Sequence, residues 1–490
     1  MTRSLWLDTA HAPVRREPPL PRSADVVVLG AGIAGLTTAF LLAEAGRKVL
    51  VLEAETIGAG VTGHTTAKLT TQHELIYHRL GDRAASYGAS QLAALEWVRN
   101  TATTYGVDCD LERTDSHVHT TDPARLPELR AEVTAATAAG LPADLVTAID
   151  PPLGAVGAVR FRDQAQFHPQ KWLLALADLT EAAGGRVIEG VRATGLREGD
   201  PSIVRTTAGA VRAKDVVVAT HYPVFDRGLF FARLEPTRDL VVAGPADREV
   251  TGTYLDADTH HSVRAAATPD GRQVIVGGEH YRVGDHVDVD ERFRRLESWA
   301  RANVGLTDVR YRWSAHDLST LDDVPYVGRY HPRAANLWVA TGFGQWGMTG
   351  GTAAGLLLRD LVQGEDNPYT GLYDPGRVSL GPLITTNLPV VKFLVGDHLR
   401  ALRGPSPEDL GPGEATVTRQ GLSMVAAYRD DGGELHTVGA HCTHMGCLVA
   451  FNNAERTWDC PCHGSRFDVD GHVLHGPAVK PLRKPGKEER

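Results

Sequence analysis

Apolar, β-branched runs separated by glycine turns open the chain. Asp25–Leu29 reads DVVVL, the segment GAGIAGLTTAFLLAEAG follows it, and Lys48–Ala54 reads KVLVLEA. A strand, a glycine turn, a helical segment and a second strand in this order predict a βαβ unit at the start of a parallel sheet. Two later runs of the same kind, Asp215–Ala219 and Leu337–Ala340, are predicted to be further strands.

The remaining chain divides by its pattern into further parts. Residues 227–313 alternate apolar and polar positions between many turns, which predicts a largely antiparallel substrate domain. A last helix is predicted at Gly351–Val362, and residues 365–409 are rich in glycine, proline and acidic residues, as linkers are. We therefore expect an α/β domain over residues 24–364 that contains the antiparallel part, then the linker, then a small separate domain over residues 410–484.

Composition and charge restrict the class of protein. The chain has 490 residues, of which 42% are hydrophobic and 23% charged, and its formal net charge is -9. An acidic balance does not favour nucleic acid or an anionic membrane as a partner. The N-terminal segment lacks the apolar core of a secretory signal, and no run approaches the roughly 20 apolar residues that span a bilayer. We therefore expect a cytoplasmic protein without an integral membrane segment.

Four of the five cysteines lie close together near the C-terminus. The pattern is Cys442-Thr-His444, fifteen residues, and then Cys460-Pro-Cys-His463. In a large chain such clustering indicates a metal site rather than a disulfide framework. Two thiolates on one iron and two neutral imidazoles on the other would hold a [2Fe–2S] cluster, and the imidazole ligands raise its potential. The remaining cysteine, Cys109, is predicted to be a buried, inert thiol.

Zinc is the alternative metal, because it binds the same residue types. A zinc site would not account for Cys447 and Cys462, one of which lies in each ligand loop. These two cysteines could form a disulfide that joins one loop to the other. The iron–sulfur interpretation is therefore favoured.

Residues 442–467 resemble the Rieske proteins of cytochrome bc-type complexes in their ligand motif, their extra cysteine pair and a following Gly-Pro loop. The resemblance covers about residues 410–482 and implies a small all-β Rieske domain. It implies that Ser465 donates a hydrogen bond to the cluster. Two positions later, where this family usually has a tyrosine that donates to a cysteine sulfur, the chain has Phe467.

A glycine fingerprint follows the first predicted strand. Gly30, Gly32 and Gly35 form GxGxxG between a strand and a helix, the context in which this motif binds a dinucleotide. Glu53 ends the second strand, where a carboxylate can accept hydrogen bonds from the adenosine ribose. A second match at residues 58–63 has no strand before it, and we do not interpret it as a dinucleotide site.

FAD and NAD both use this fingerprint, and two features favour FAD. The fingerprint lies near the N-terminus, and a glycine-rich segment returns late, at residues 341–351. In the D-amino-acid oxidase-like flavoproteins such a segment closes over the isoalloxazine ring. Residues 25–364 resemble this family through GAGIAGLTTAFLLAEAG, LEAETIGAGVTGHTTAKLT, DVVVATHYP, DDVPYVG and the late glycine segment, which arrive in its order.

The flavoprotein resemblance implies an FAD-binding, Rossmann-like domain. Further FAD contacts that it implies are Thr62, His64, Thr65, Gly342, Gly347, Met348 and Thr349. Some relatives attach FAD covalently to a histidine, but we expect His64 to be a hydrogen-bonding loop residue.

The substrate pocket is less clearly marked. Amino-acid oxidases of this fold hold the substrate carboxylate with an arginine. The late glycine segment has Gln345 and Trp346 but no arginine. Arg264 could serve from the second domain, or it is a surface or structural arginine and the substrate is an amine without an α-carboxylate. Trp313, His316 and Trp346 are candidates for an apolar pocket wall, with core packing as the alternative for the tryptophans, and no catalytic residue is assigned.

Together these features predict an FAD-dependent oxidoreductase that oxidises an amine or amino-acid-like C–N bond. Electrons would pass singly from flavin through the Rieske cluster to an external acceptor, either a quinone or a small redox protein. In one alternative the flavin reacts with oxygen directly, and the Rieske domain is a redox sensor or a structural module. In another, NAD(P)H feeds a reductase.

The phenylalanine at position 467 predicts a midpoint potential below the upper end of the Rieske range, which is roughly +300 mV. Hydrogen bonds to sulfur stabilise the reduced, more negative cluster, so Phe467→Tyr should raise the potential. A bond worth about 1–1.5 kcal/mol corresponds to roughly 40–65 mV for a one-electron couple. A redox titration measures both values, with Phe451→Tyr as a control outside the ligand motif. A wild-type potential at the top of the range would contradict the prediction.

Overall fold

The computed structural model describes residues 3–13, 15, 19–151, 153–225, 227–285, 287–377, 404–421 and 423–485. The helices are α1 (Leu5–Thr9), α2 (Ile33–Glu44), α3 (Tyr77–Leu80), α4 (Ala84–Thr104), α5 (Leu126–Ala138), α6 (Pro169–Ala182), α7 (Val289–Val304), α8 (Gly347–Gln363) and α9 (Thr370–Tyr373). Within these ranges no helix is long and apolar enough to cross a membrane.

The strands are numbered in chain order, from the first sheet to the C-terminal domain. They are β1 (Ser23–Leu29), β2 (Val49–Leu52), β3 (Lys68–Leu69), β4 (Glu112–Thr120), β5 (Ala143–Val146), β6 (Gly157–Gln166), β7 (Arg186–Ile188), β8 (Ala193–Arg197), β9 (Ser202–Thr206), β10 (Gly209–Val218), β11 (Leu234–Gly244), β12 (Thr253–Asp256), β13 (Ser262–Ala266), β14 (Gln273–Arg282), β15 (Tyr311–Thr320), β16 (Tyr326–Arg329), β17 (Leu337–Thr341), β18 (Ala415–Gln420), β19 (Ser423–Arg429), β20 (Leu435–Gly439), β21 (Ala450–Asn452), β22 (Thr457–Asp459), β23 (Arg466–Phe467) and β24 (Val473–His475).

The first sheet has a parallel centre in the order β17-β10-β1-β2-β7, with antiparallel strands β16, β9 and β8 attached. The predicted βαβ unit is β1-α2-β2. Val26–Leu29 are fully buried because helices cover one face of this sheet and loops the other. Helix α8 lies close to α2, since a Cβ at Gly355 would lie only 2.5 Å from Thr37 Cγ2.

The second sheet has nine strands in the order β15-β11-β14-β13-β12-β4-β6-β3, with β5 on β6. Every pair is antiparallel except β12–β4. The prediction located this part mainly in residues 227–313. The sheet also takes β3 to β6 from residues 68–166, because the chain enters the second domain twice. Hydrophobic pattern alone does not reveal such a long-range pairing.

The C-terminal domain is all β, with the antiparallel sheets β18-β19-β20 and β21-β22-β23-β24. Trp458 and Phe467 are fully buried in its core. The predicted α/β fold, with an antiparallel second domain and a separate all-β domain, is therefore confirmed. Residues 378–403 of the predicted linker lie outside the described residues.

A buried ion-pair network joins the two domains. Arg238 on β11 is 1% exposed, and it lies 2.7 Å from Glu455 Oε2 and 3.1 Å from Asp459 Oδ2 in the C-terminal domain. Arg466 contacts the same two carboxylates, at 2.9 and 3.2 Å. Burial alone would lower the pKa of Arg238, but the charges of Glu455 and Asp459 outweigh it and raise that pKa. The two positive and two negative charges therefore compensate each other out of water. We call these four residues the interface network.

Removing one member of the interface network should be costly. We expect Arg238→Met to lower the free energy of unfolding by about 3–5 kcal/mol, because it leaves two buried carboxylates with one cation. Urea unfolding of the holoprotein, followed by bleaching of the cluster, measures the change. Arg295, whose side chain is 49% exposed, pairs with Glu279, and Arg295→Met is the control, with an expected loss under about 1 kcal/mol. Equal losses in the two variants would contradict the role of the interface network.

Candidate flavin cavity and iron–sulfur centre

A cavity of about 260 Å³ lies where the carboxyl ends of β1, β2 and β10 meet β11 and β15 of the second sheet. Its floor is the glycine turn after β1. Gly30 has φ +99°, and a Cβ there would lie 2.5 Å from the carbonyl oxygen of Ala219. A Cβ at Gly35 would lie 2.0 Å from the carbonyl oxygen of Gly30. Only glycine allows this approach of backbone to backbone, and it leaves room above the turn.

The residues around this turn fit a dinucleotide. Glu53 Oε2 accepts a hydrogen bond from the Ala31 amide at 2.8 Å, which fixes the carboxylate beside the cavity. Burial raises the pKa of Glu53. Gly32 is the N-cap of α2, the Ile33 amide donates to Thr62 Oγ1 at 3.3 Å, and this first turn lines the cavity together with Thr62. Helix N-termini favour phosphate, and a carboxylate can accept from ribose hydroxyls. The residues present therefore fit the adenosine diphosphate half of FAD.

The late glycine segment forms the opposite side of the cavity. Helix α8 begins at Gly347, four residues before its predicted start, and its first turn, Gly347 and Met348, lines the cavity. Trp346 also lines it and stacks on His73, with ring centroids 4.8 Å apart. A second helix N-terminus, with its partial positive charge, thus reaches the same space.

Some of the predicted site residues line the cavity, and others lie outside it. Those that line it are Gly30, Gly32, Glu53, Thr62, Thr65, Trp346, Gly347 and Met348. Gly35, His64, Thr349, Trp313, His316 and Arg264 do not line it, and Gly342 lines an adjacent cavity of about 200 Å³.

Arg264 is not placed to hold a substrate carboxylate, and its contacts agree with the alternative of a structural arginine. Its side chain is 2% exposed, and its guanidinium donates to the carbonyl oxygens of Thr66 at 3.2 Å and Phe167 at 3.3 Å. It also lies over the ring of Trp6, 5.2 Å from the centroid. The backbone of neighbouring loops therefore uses its donors, and burial lowers its pKa to about 9.

Trp313 and His64 have packing and hydrogen-bonding positions. The Trp313 indole donates to the carbonyl oxygen of His64 at 2.8 Å, and its ring is 1% exposed in an apolar cluster. His64 Nδ1 lies 2.9 Å from the carbonyl oxygen of Gly60. Trp313 therefore packs in the core and supports the loop of the predicted FAD contacts, and it does not line the cavity.

Five charged residues that the sequence interpretation missed line the cavity: Glu55, Lys68, Arg192, Asp239 and Asp317. Burial lowers the pKa of Lys68 to about 7 and raises the pKa of Asp317 to about 7. Gln345 Nε2 donates to Asp239 at 2.7 Å, so the late glycine loop is tied to this acidic side. The sequence feature that could have pointed to Lys68 and Asp317 is a charged residue inside an otherwise apolar or threonine-rich strand, as in TTAKLT and SAHDLST.

The two predicted iron–sulfur ligand loops meet in the C-terminal domain. Cys442 and Cys460 are both buried, and a hydrogen bond from the Cys460 thiol lowers the pKa of Cys442. The rings of His444 and His463 have centroids 5.0 Å apart. Ser465 also hydrogen-bonds Cys442. Two adjacent thiols beside two imidazoles are the donor set of a Rieske cluster.

A disulfide joins Cys447 to Cys462. The sulfur of Cys460 lies within 4.8 Å of both of these sulfurs. A bonded pair cannot supply thiolates, so this group of three is not a metal site. Cys109 is buried, and burial raises its pKa to about 12, in agreement with the prediction of an inert thiol.

The histidine-bearing end of the C-terminal domain faces the first domain. The ring of Tyr222 lies 6.1 Å from His444 and 6.0 Å from His463, and Phe231 lies 6.0 Å from His463. The C-terminal domain also contributes Leu474, His475, Gly476 and Val479 to the cavity wall. The two sites therefore share one interface.

Comparison with known proteins agrees with this arrangement. Residues 25–361 match the FAD dependent oxidoreductase family, and residues 405–486 match the Rieske [2Fe-2S] domain. The putative Rieske 2Fe-2S iron-sulfur protein YhfW of Bacillus subtilis is 34% identical over 94% of this chain and 93% of its own length. Gamma-glutamylputrescine oxidoreductase of Escherichia coli is 28% identical over 70% of this chain and 84% of its own length.

Solved structures show the same fold for the first part. L-proline dehydrogenase from P. horikoshii has a TM-score of 0.63 at 21% identity and covers 73% of this chain and 98% of its own. Glycine oxidase from Geobacillus kaustophilus has a TM-score of 0.62 at 19% identity, over 73% of this chain and 100% of its own. With its family match over more than half its length, this chain belongs to the FAD-dependent oxidoreductases and carries a C-terminal Rieske [2Fe–2S] domain.

Proposed function

We propose that this enzyme oxidises an amine or amino-acid-like substrate at FAD and passes the electrons, one at a time, through its Rieske cluster to an external acceptor. When bound, FAD accepts a hydride from the carbon beside nitrogen, and the [2Fe–2S] cluster accepts single electrons. The chain's own residues bind, orient and connect the two cofactors.

The observation that carries the proposal is the shared wall between the two sites. Residues 474–476 of the Rieske domain line the flavin cavity, and the ligand His463 is only 2% exposed beneath Tyr222 and Phe231. The interface network holds the domains in this position through compensated buried charges. A sensor or structural module would not need its iron-binding histidines turned toward the flavin domain.

The charged side of the cavity supports a substrate with an amine and an acidic group. An ammonium must lose its proton before the neighbouring C–H can leave as hydride. Burial raises the pKa of Asp317 to about 7, which suits this carboxylate to accept that proton near neutral pH. Lys68 lies on the same cavity wall and replaces Arg264 as the candidate partner of a carboxylate. The relatives named for γ-glutamylputrescine, glycine and L-proline support this substrate class.

The external acceptor, a quinone or a small redox protein, has an accessible approach at the loop that carries His444. Met445, next to the ligand His444, is 49% exposed, and Thr443 and Gly446 are also accessible. Lys480 lies beside this loop, since its carbonyl oxygen accepts from Thr443 at 2.6 Å. We propose that the acceptor approaches here.

The relay is tested by screening amines and amino acids without air. A substrate should bleach the flavin band, and the reduced-cluster signal in electron paramagnetic resonance should appear in the same samples. Flavin that bleaches while the cluster stays oxidised would refute the relay and favour direct reaction with oxygen. Reduction by NADH in the absence of amine would favour the reductase alternative.

The assignment of Lys68 is tested with benzoate as a carboxylate probe, followed by the perturbation of the flavin spectrum. Because the pKa of Lys68 is about 7, the ammonium is present below pH 7 and is lost above it, so benzoate affinity should fall as pH rises through 7. Lys68→Met should weaken binding at pH 6 by roughly tenfold, the effect of about 1.4 kcal/mol, and much less at pH 8.

Lys171→Met is the matched control, because Lys171 pairs with Asp110 at 2.9 Å outside the cavity. It should leave benzoate binding unchanged at both pH values. An equal loss at pH 6 and pH 8 in Lys68→Met would contradict the assignment.

A further inference from the structure

Three histidines form a cluster at the domain interface. His221 follows β10, His316 is on β15, and His475 is on β24 of the Rieske domain. Their ring centroids lie 5.1 Å apart for His221–His316, 5.6 Å for His316–His475 and 6.1 Å for His221–His475. Because His475 belongs to the Rieske domain, the three histidines come together only when the two domains are docked.

The group of three histidines connects the flavin cavity to an iron–sulfur ligand loop. His221 and His475 line the cavity, as does Ala315, which precedes His316. His316 lies behind them, against the loop that carries Cys460 and His463. A Cβ at Gly464 would lie 2.4 Å from His316 Nε2, so the imidazole packs directly on the backbone next to the ligand.

Burial of the His316 imidazole costs free energy. His316 is 4% exposed, and neither Nδ1 nor Nε2 has a hydrogen-bond partner among the described residues. His221 Nε2 also has none in that part of the chain. Each such buried group costs about 1–3 kcal/mol, a penalty that an aliphatic side chain at this position would not carry. Burial lowers the pKa of each of the three histidines, so all are neutral. A packing role alone does not explain them.

A metal site is not the explanation. Three imidazoles that bind one ion direct their nitrogens to a common point. Among the described residues, the groups of candidate ligands whose donor atoms lie within 4.8 Å of one another do not include these histidines.

We propose that His316, together with His221 and His475, is the electron-transfer bridge between the flavin and the Rieske cluster. The proposal rests on the proposed function and deepens it. In the bridged step one electron leaves reduced flavin and converts one ferric ion of the cluster to ferrous, and no bond forms or breaks. His316 acts through its neighbours and is a positioning residue: its ring closes the gap between the cavity wall and the backbone at Gly464.

The test uses the holoprotein without air, with flavin reduced by a light flash and EDTA as the electron donor, so that no substrate is needed. The wild-type cluster should become reduced as the flavin loses one electron to it. His316→Leu should slow this transfer at least tenfold while flavin content, iron content, cluster spectrum and both midpoint potentials stay at wild-type values. A merely structural role would change those properties or leave the rate unchanged.

His119→Leu is the matched control. His119 on β4 is 1% exposed, and both of its ring nitrogens lack a hydrogen-bond partner among the described residues, but it lines neither cavity. Its replacement should leave the transfer rate unchanged. If His316→Leu loses its cluster, His221→Leu replaces it in the test, because His221 lies at the cavity side of the bridge and should also slow transfer.

The outcomes separate the two proposals. If the wild-type protein transfers electrons to the cluster and a fully loaded His316→Leu protein does so equally fast, the bridge proposal is wrong and the proposed relay is unaffected. If the His316→Leu protein cannot be loaded with its iron–sulfur cluster, a His221→Leu protein that transfers electrons as fast as the wild type overturns the bridge proposal. A wild-type cluster that stays oxidised beside reduced flavin overturns both.

Discussion

The arrangement of this enzyme depends on charges that are buried between its two domains. Arg238 of the flavin domain lies among Glu455, Asp459 and Arg466 of the Rieske domain, and neither side could keep its charges out of water without the other. A buried, compensated network of this kind favours one docking geometry, because any displacement exposes an unpaired charge to an apolar surrounding. The position of the cluster relative to the flavin cavity follows from that geometry.

Docking has consequences for both cofactor sites. The cavity for FAD takes part of its wall from residues 474–476, so the flavin site is completed by the domain that would receive its electrons. The iron-binding histidines are turned inward, toward Tyr222 and Phe231, while the adjacent loop at Met445 remains exposed. A flavin releases two electrons and the cluster takes one, so an inward donor side and an outward acceptor side suit sequential single transfers.

Sequence patterns indicated which residues lie together where the pattern is local in the chain. The turn at Gly30 and the spacing of the cysteines and histidines each depend on a few consecutive residues, and the structure brings these residues together as expected. Arg264 illustrates the limit: a conspicuous arginine on a strand suggested a carboxylate clamp, but its donors are used by loop carbonyls from distant segments. Lys68 and His475 reach the cavity only through long-range packing of strands and domains, which no spacing pattern encodes.

The most direct test of the account is whether electron transfer between flavin and cluster occurs within one molecule. After flash reduction of the flavin in anaerobic holoprotein, the rate of cluster reduction can be followed over a hundredfold range of protein concentration. The account predicts a single first-order rate that does not change with concentration, since donor and acceptor are held in one docked unit. A rate that rises in proportion to concentration would show that the centres exchange electrons only between molecules, and would contradict it.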